Sequence, residues 1–347
     1  MMLNATPRDE RLETLRLWLR DQKYSHTEIT PAASDASFRR YFRLHLKDET
    51  PLIAMDAPPD RENIRPWLHV SRLLSQAGVH VPRIEAADPQ QGFVLMEDLG
   101  DDSYARVHDR HDPMWEQAIE TALETLVLMQ THVPDDGLPA YDERRLREEM
   151  ELFPHWLLER HLEVPASEIR TVLAPLADHL VAETLCTPQR FTHRDYHSRN
   201  LFLAPPSPGV IDFQDAVWGP ITYDLVSLLK DCYIDWSREE QRRWLVKYHD
   251  LMTPHCRDLP DAETLLFQFD LIGVQRHLKA AGIFARLFWR DGKRGYLDSI
   301  PRTLGYIVRL ARERPLVAPL ADTLQAFVVP RLKEARERVF GNETWTR

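Results

Sequence analysis

The chain has 347 residues, of which 43% are apolar and 28% charged. That is enough to bury a large core in two domains or lobes, and too apolar a mixture for wholesale disorder. The net charge of -10 argues against a broad basic face for nucleic acid, and no run approaches the ~18 uninterrupted apolar residues of a membrane span. Three scattered cysteines, Cys186, Cys232 and Cys256, include no CxxC pair and suit neither a disulfide framework nor a zinc site. The opening residues carry acidic groups at helical spacing where a signal peptide would show an apolar run. The expectation is a protein of the reduced cytoplasm with no membrane, nucleic-acid or obligate protein partner. Glycine is scarce, 12 residues against 25 prolines, and neither a GxGxxG nor a GxxxxGKS/T loop occurs.

In chain order, Leu12, Leu15 and Leu19 predict a helix over 9–21. Phe42, Leu44 and Leu46 alternate with Tyr41, Arg43 and His45, the period of a half-buried strand, and Leu52–Met55 returns beside it after a polar turn. Asp60–Ala77 reads as a helix closed by Gly78, and Pro82–Ala86 and Phe93–Met96 as a second hairpin. Gly100–Asp112 is the nearest thing to a linker. Beyond it, periodic segments predict helices over 113–132, 143–162, 168–186, 221–253, 261–290 and 301–340, broken near prolines. Residues 190–213 interrupt them with short apolar pieces between polar clusters, and such an island in a helical domain is where a constructed site is expected.

The island reads Thr192-His193-Arg194-Asp195-Tyr196-His197-Ser198-Arg199-Asn200 and, further on, Ile211-Asp212-Phe213-Gln214. HRDxxxxN followed by DF is the catalytic-loop and metal-binding pair of kinases. Moving a phosphoryl group off ATP calls for Mg²⁺ on the phosphate oxygens, so two oxygen ligands must converge, and Asn200 and Asp212 supply them. The incoming hydroxyl must be oriented and must lose its proton, the task of Asp195. His193 is expected to brace the loop.

With these residues in view, the chain resembles the aminoglycoside-phosphotransferase-type small-molecule kinases, relatives of the protein-kinase fold, over nearly its whole length. Gly209–Ala216 continuing to Gly219-Pro220 and Tyr223-Asp224-Leu225 resembles the family's metal strand and following helix, where Asp224 would brace the catalytic loop. Val94–Gly100 resembles its hinge, with backbone near Glu97 and Leu99 holding adenine. The resemblance implies an α+β, protein-kinase-like fold of two lobes: a small antiparallel-sheet nucleotide lobe over 1–99 and a mostly helical lobe over 100–347. Asp212 and Asp224 are too close in sequence to hold the activation segment of a protein kinase, which disfavours a protein substrate.

Two departures stand out. The family's phosphate loop is represented by Ser34–Tyr41, which lacks glycine, with Ser34 and Ser37 as the small residues whose backbone approaches phosphate. The third-strand lysine is absent, with Met55 about where it belongs, and Arg40 or Arg43 is expected to reach the phosphates in its place. Ser34–Leu44, Met55-Asp56-Ala57-Pro58-Pro59 and Val274–Leu287 resemble the anomeric N-acetylmuramate/N-acetylglucosamine kinases of bacterial cell-wall recycling. That resemblance implies phosphorylation of the sugar C1 hydroxyl to the α-1-phosphate.

A helix over 276–290 would place Arg276, Lys279, Arg286 and Arg290 within an arc of about 80°. Such a stripe suits the lactyl carboxylate of N-acetylmuramate, though taken alone it reads better as a solvated face balancing an acidic protein, and Gly282 weakens the continuity of that helix. His197, Asp215 and Trp218 join Arg276 and Lys279 as expected substrate contacts; Trp218 and Tyr223 could stack on a sugar ring, although aromatics near a core are usually core. The rival readings are a kinase of another small alcohol, of aminoglycoside, choline or homoserine type, and a nucleotide-binding pseudokinase.

Overall fold

Helix α1 (Glu10–Asp21) opens where the Asp9 carboxylate accepts the Leu12 amide at 3.0 Å, with Glu10 and Glu13 in the first turn facing the positive end of the helix dipole. Its Leu15, Trp18 and Leu19 share a core with Phe42, Leu44, Leu52, Ala54, Phe93 and Leu95 of an antiparallel sheet. Each such side chain, fully buried, contributes ~1.5–3 kcal/mol relative to exposure. The computed structural model describes residues 9–24, 27–34, 38–47, 50–206 and 208–340. The chain divides into two compact units, one of residues up to Arg72 plus Val81–Gly100, the other of Leu73–His80 plus everything from Asp101 on.

The sheet of the first unit contains β1 (Glu28–Ser34), β2 (Arg40–His45), β3 (Leu52–Asp56), β4 (Ile84–Asp88) and β5 (Phe93–Glu97), in the order β1-β2-β3-β5-β4. Helix α2 (Ile64–Gln76) lies between β3 and β4 in sequence. It starts later than Asp60 because the amides of Arg61 and Glu62 both turn back to the Pro58 carbonyl. β1 lacks apolar alternation and contains Pro31, beside a register shift between Pro31 and Ala33. It is an edge strand, where a missing N–H is tolerated. Register decides which side chains share a face. Arg40 lies opposite Asp56, on the face of Phe42, Leu44 and α1; Tyr41 lies opposite Met55, and Arg43 opposite Ile53, on the other face.

The second unit is mostly helical. The stretch expected as a linker contains α3 (Tyr104–Asp109), with Tyr104 and Val107 completely buried and the Ser103 hydroxyl capping it. Next come α4 (Trp115–His132), α5 (Glu143–Met150), a π-helical stretch Phe153–Leu162 and α6 (Ser167–Cys186). Two short antiparallel ladders follow, β6 (Gln189–Thr192) with β9 (Val217–Pro220) and β7 (Leu201–Phe202) with β8 (Gly209–Val210). The helix expected over 221–253 is two, α7 (Tyr223–Leu229) and α8 (Arg238–Met252), with a buried turn between them.

Helix α9 (Ala262–Asp291) is continuous through Gly282. A Cβ there would lie 2.4 Å from the Leu152 carbonyl carbon, so the missing side chain serves close packing against the start of the π-helical stretch. α9 is buried along most of its 30 residues and packs against α5, α6, α7 and α8. The region expected as one helix over 301–340 is α10 (Ile300–Leu310), α11 (Ala318–Thr323) and α12 (Val329–Phe340), separated by tighter and wider turns. No described helix is long and apolar enough to cross a membrane.

Candidate active site

The two short ladders of the helical unit present two loops, 193–200 and 211–216. The Ile211 amide donates to the Asn200 carbonyl at 3.1 Å and ties one to the other. Arg194 and Asp212 both have positive φ, +77° and +66°, in the region that non-glycine residues enter at a cost of order 1–3 kcal/mol. Such a conformation persists only where neighbours enforce it.

The fully buried Asp224, in the first turn of α7, supplies much of that enforcement. Its Oδ2 accepts the His193 amide at 2.6 Å and its Oδ1 the Arg194 amide at 2.9 Å. Burial pushes its carboxyl up to about 7, against the pull of those two amides. His193 holds the loop from its ring: Nε2 donates to the Ile211 carbonyl at 3.0 Å, and Nδ1 accepts the Asp195 amide at 3.3 Å. That pattern requires the neutral ring, and burial lowers the imidazole to about 4. The Asp231 carboxylate, in the α7–α8 turn, does for the other end of the loop what Asp224 does for the first. It accepts the Ser198 amide at 2.9 Å and the Tyr233 amide at 2.7 Å.

Asp195, Asn200 and Asp212 converge. The Asn200 Nδ2 donates to the Asp195 carbonyl at 2.9 Å and stands 3.4 Å from Asp212 Oδ2. Gln214 Nε2 donates to Asp212 Oδ1 at 2.8 Å and fixes that carboxylate. One amide oxygen and one carboxylate form a hard, all-oxygen donor pair, suited to a divalent cation that takes the rest of its shell from water and phosphate. Among the described residues no group of three or more His, Cys, Asp or Glu forms a metal cluster.

Beneath the loop lies a buried network that the sequence did not announce. The Arg194 guanidinium pairs with Glu149 of α5, and its Nη1 donates to the Asp215 carbonyl at 3.3 Å. Glu149 also accepts the Tyr141 hydroxyl and, at 3.3 Å, the Gln275 amide, and lies 3.4 Å from Lys279 Nζ. Lys279 Nζ donates in addition to the Tyr223 hydroxyl at 3.0 Å. Burial would raise the Glu149 carboxyl, but Lys279 and Arg194 hold it below the ordinary range. Asp195 follows the same logic: burial opposes its charge, and Lys279, His197, Arg194 and Arg276 together pull its carboxyl below the usual value. Asp195 is thus a carboxylate held ionised in a half-buried position.

The structure corrects two readings of this region. Arg276 and Lys279 are 5% and 7% exposed, so they are not part of a solvated stripe; the outer end of the helix is the solvated part, with Arg290 paired to Asp291. Tyr223 is completely buried and edge-on to Tyr141 at 5.3 Å, a core residue unavailable to stack on a sugar. Trp218 is half-buried in β9 opposite Phe191, and Asp215 is exposed. His197 meets Tyr233 edge to face at 5.2 Å.

The remaining expected residues belong to the sheet unit. Met55 is completely buried on β3. Arg40 is bound on the α1 face between Asp56, 2.6 Å from Nη2, and Asp9, 2.5 Å from Nη1. Arg43 is on Met55's face, with Nη2 3.1 Å from Asp98 Oδ1. Glu97 ends β5, its amide donating to the Arg83 carbonyl at 2.9 Å, and Leu99 follows in a half-buried turn closed by Gly100. Ser34 ends β1; Ser37 lies outside the described residues.

Residues 28–260 match the Phosphotransferase enzyme family. The chain belongs to that family. It is 46% identical, over 86% of its length and 88% of the relative's, to the N-acetylmuramate/N-acetylglucosamine kinase of Pseudomonas aeruginosa. It is 39% identical, over 91% and 96%, to the protein of that name from Pseudomonas putida. Among solved structures, a Plasmodium vivax ethanolamine kinase superposes with a TM-score of 0.65 at 11% identity, covering 90% of this chain and 93% of that one. An aminoglycoside phosphotransferase superposes with a TM-score of 0.57 at 14% identity, covering 86% and 97%. At such identities the structures speak for the fold, which is protein-kinase-like. As a phosphotransferase, the protein is a kinase and takes its phosphoryl group from a nucleotide.

Proposed function

We propose that the protein transfers the γ-phosphoryl group of ATP to the C1 hydroxyl of N-acetylmuramate and N-acetylglucosamine, giving the α-1-phosphates, within the recycling of cell-wall sugars. The observation that carries the chemistry is the convergence of Asp195, Asn200 and Asp212 on two loops tied by the Ile211 amide. The choice of acceptor draws on the names of the relatives at 46% and 39% identity.

Asp195 orients the C1 hydroxyl and takes its proton as the oxygen–phosphorus bond forms and the bond to the β–γ bridging oxygen breaks, leaving ADP. An anomeric hydroxyl is more acidic than an ordinary alcohol, so a carboxylate held ionised suffices as a late acceptor. Asn200 and Asp212 would hold Mg²⁺, which when bound neutralises charge on the phosphate oxygens. Asp224, His193 and Asp231 keep the loop in the shape this requires, and the rest of catalysis is positioning. On the sheet unit, Arg43 is the candidate for the phosphate contact that Met55 cannot make, since it shares Met55's face. Backbone at Glu97 and Leu99 is the candidate for adenine.

Phosphorus NMR of the protein with Mg²⁺-ATP and each sugar tests this. The expected result is a sugar-1-phosphate signal coupled to the anomeric proton. Turnover of an aminoglycoside, choline or homoserine, with none of either sugar, would overturn the acceptor assignment.

A further inference from the structure

Arg276 and Arg286 are the two members of the expected stripe with no carboxylate paired to them among the described residues, and only Arg276 lies beside the catalytic loop. Lys279 is committed to Glu149 and Tyr223, and Arg290 to Asp291. Arg286 is half-buried further along the helix. The Arg276 guanidinium is 5% exposed, yet its one hydrogen-bond acceptor is the Cys232 thiol, 3.8 Å from Nη1, and its Nε has no partner. The Tyr223 ring lies 6.0 Å from it. A guanidinium brings five donors, and leaving buried donors without acceptors is unfavourable. Asp195 and Asp231 favour its charge through space, but neither hydrogen-bonds it, and both Asp231 oxygens accept backbone amides.

A second group at the same place is also unsatisfied. His197 Nδ1 is buried without a hydrogen-bond partner, and its ring feels the charges of both Asp195 and Arg276. Tyr233, half-buried, stands against His197, with the Arg199 guanidinium 3.6 Å over its ring and Phe284 behind. Two unfilled polar edges and an aromatic wall therefore adjoin the proton acceptor Asp195.

We infer that Arg276, with His197 Nδ1, receives the carboxylate that distinguishes N-acetylmuramate from N-acetylglucosamine. The inference rests on the acceptor reading above. The two sugars differ by a lactyl ether bearing one carboxylate, and a planar guanidinium fork matches a carboxylate in two parallel hydrogen bonds. Among the described residues Arg276 meets the Cys232 thiol and the Tyr223 ring and feels the charges of Asp195 and Asp231. A site built this way accepts N-acetylglucosamine with water in the carboxylate's place and gains from the charged sugar.

The test compares kcat/KM for the two sugars in the unaltered enzyme, in Arg276→Met and in Arg276→Lys. The ratio favouring N-acetylmuramate should fall by about 10- to 100-fold in Arg276→Met, through KM, as loss of a charge-assisted contact predicts. Arg276→Lys should recover part of it. Should Arg276→Met not fold, N-acetylmuramate methyl ester with the unaltered enzyme asks the same question, and its KM should rise by a similar factor. An unchanged ratio with an equally good ester overturns the inference. An equal loss on both sugars in kcat also overturns it and assigns Arg276 to the transferring phosphoryl group. Failure of the acceptor reading looks different: the unaltered enzyme would turn over neither sugar, and the inference would fall with it.

Discussion

The candidate catalytic loops of the helical unit and the β2–β3 hairpin of the sheet unit both bury charge, and they do it in opposite ways. In the loops, buried carboxylates are used to hold backbone: Asp224 takes two successive amides, and Asp231 takes two more. That leaves Asp195 and Asp212, the groups assigned to chemistry, positioned by others. In the hairpin the buried carboxylate Asp56 is satisfied by side chains, Arg11 at 2.8 Å and Arg40 at 2.6 Å, over an apolar core. The first arrangement fixes a shape that the chain would not otherwise adopt, with positive φ at Arg194 and Asp212. The second ties an N-terminal helix to a sheet. The contrast teaches that a buried acid beside a catalytic motif is to be read through the backbone it caps, and one in a hairpin through its ion pairs.

The largest expected effect breaks the first arrangement. Asp224→Ala leaves two buried amides without an acceptor, at a cost of ~2–6 kcal/mol in the folded protein, and frees Arg194 from its strained conformation. Turnover should fall by at least about 100-fold, and the melting temperature with it. Asp224→Asn, which keeps an oxygen for one amide, should fall between. Near-normal turnover in Asp224→Ala would show that the loop holds itself.

A smaller effect separates the two hairpin arginines. Arg43→Met should raise the KM for ATP by about 10- to 100-fold, the value of a charge-assisted hydrogen bond. Arg40→Met should act chiefly on stability, since it leaves Asp56 buried with Arg11 alone. Nucleotide titrations and melting curves of the two variants decide this, and the reverse pattern would move the phosphate contact to Arg40.

The smallest effect is a slope with pH. His161 and His193 are lowered by burial to about 4 and His277 to about 3, from 6.5. Between pH 6.5 and about 4 the unfolded chain therefore binds more protons at these histidines than the folded one, and stability falls as pH falls. Asp224, raised by burial to about 7, works the other way across that window. With three groups against one, a net loss on acidification is expected. His277 stacks on Tyr306 and donates to the Lys230 carbonyl at 2.9 Å. His277→Gln should flatten the pH dependence of the unfolding free energy, measured by denaturant titration, by up to about 1.4 kcal/mol per pH unit, and an unaltered slope would exclude His277 as a source.

The same contrast explains what was legible in advance. The catalytic loop could be read because its groups are close in sequence, Asp195 to Asn200 and Asp212 to Asp224, so spacing alone carries geometry. Glu149 reaches that loop from a distant segment, held by Tyr141 from its own stretch of chain and by Gln275 from another, and no local pattern marks them. Asp231 and Tyr233 were hidden by apolar periodicity running through 221–253, although the chain turns at Lys230. β1 was missed because an edge strand need not alternate and tolerates Pro31. The cationic stripe was judged by helical angle, which gives direction but not burial; the packing of α9 on its neighbours decides that Arg276 and Lys279 are inside.

The central claim is that Asp195 is the group that prepares the acceptor hydroxyl. The most direct measurement is single-turnover phosphorylation of N-acetylglucosamine by Asp195→Asn, alongside its nucleotide affinity. Asparagine keeps the size of the side chain and removes its charge and basicity. A rate at least about 1,000-fold lower, with the nucleotide dissociation constant within about threefold of the unaltered enzyme's, is the predicted result. A rate within about tenfold of the unaltered enzyme's would contradict it and remove Asp195 from the mechanism.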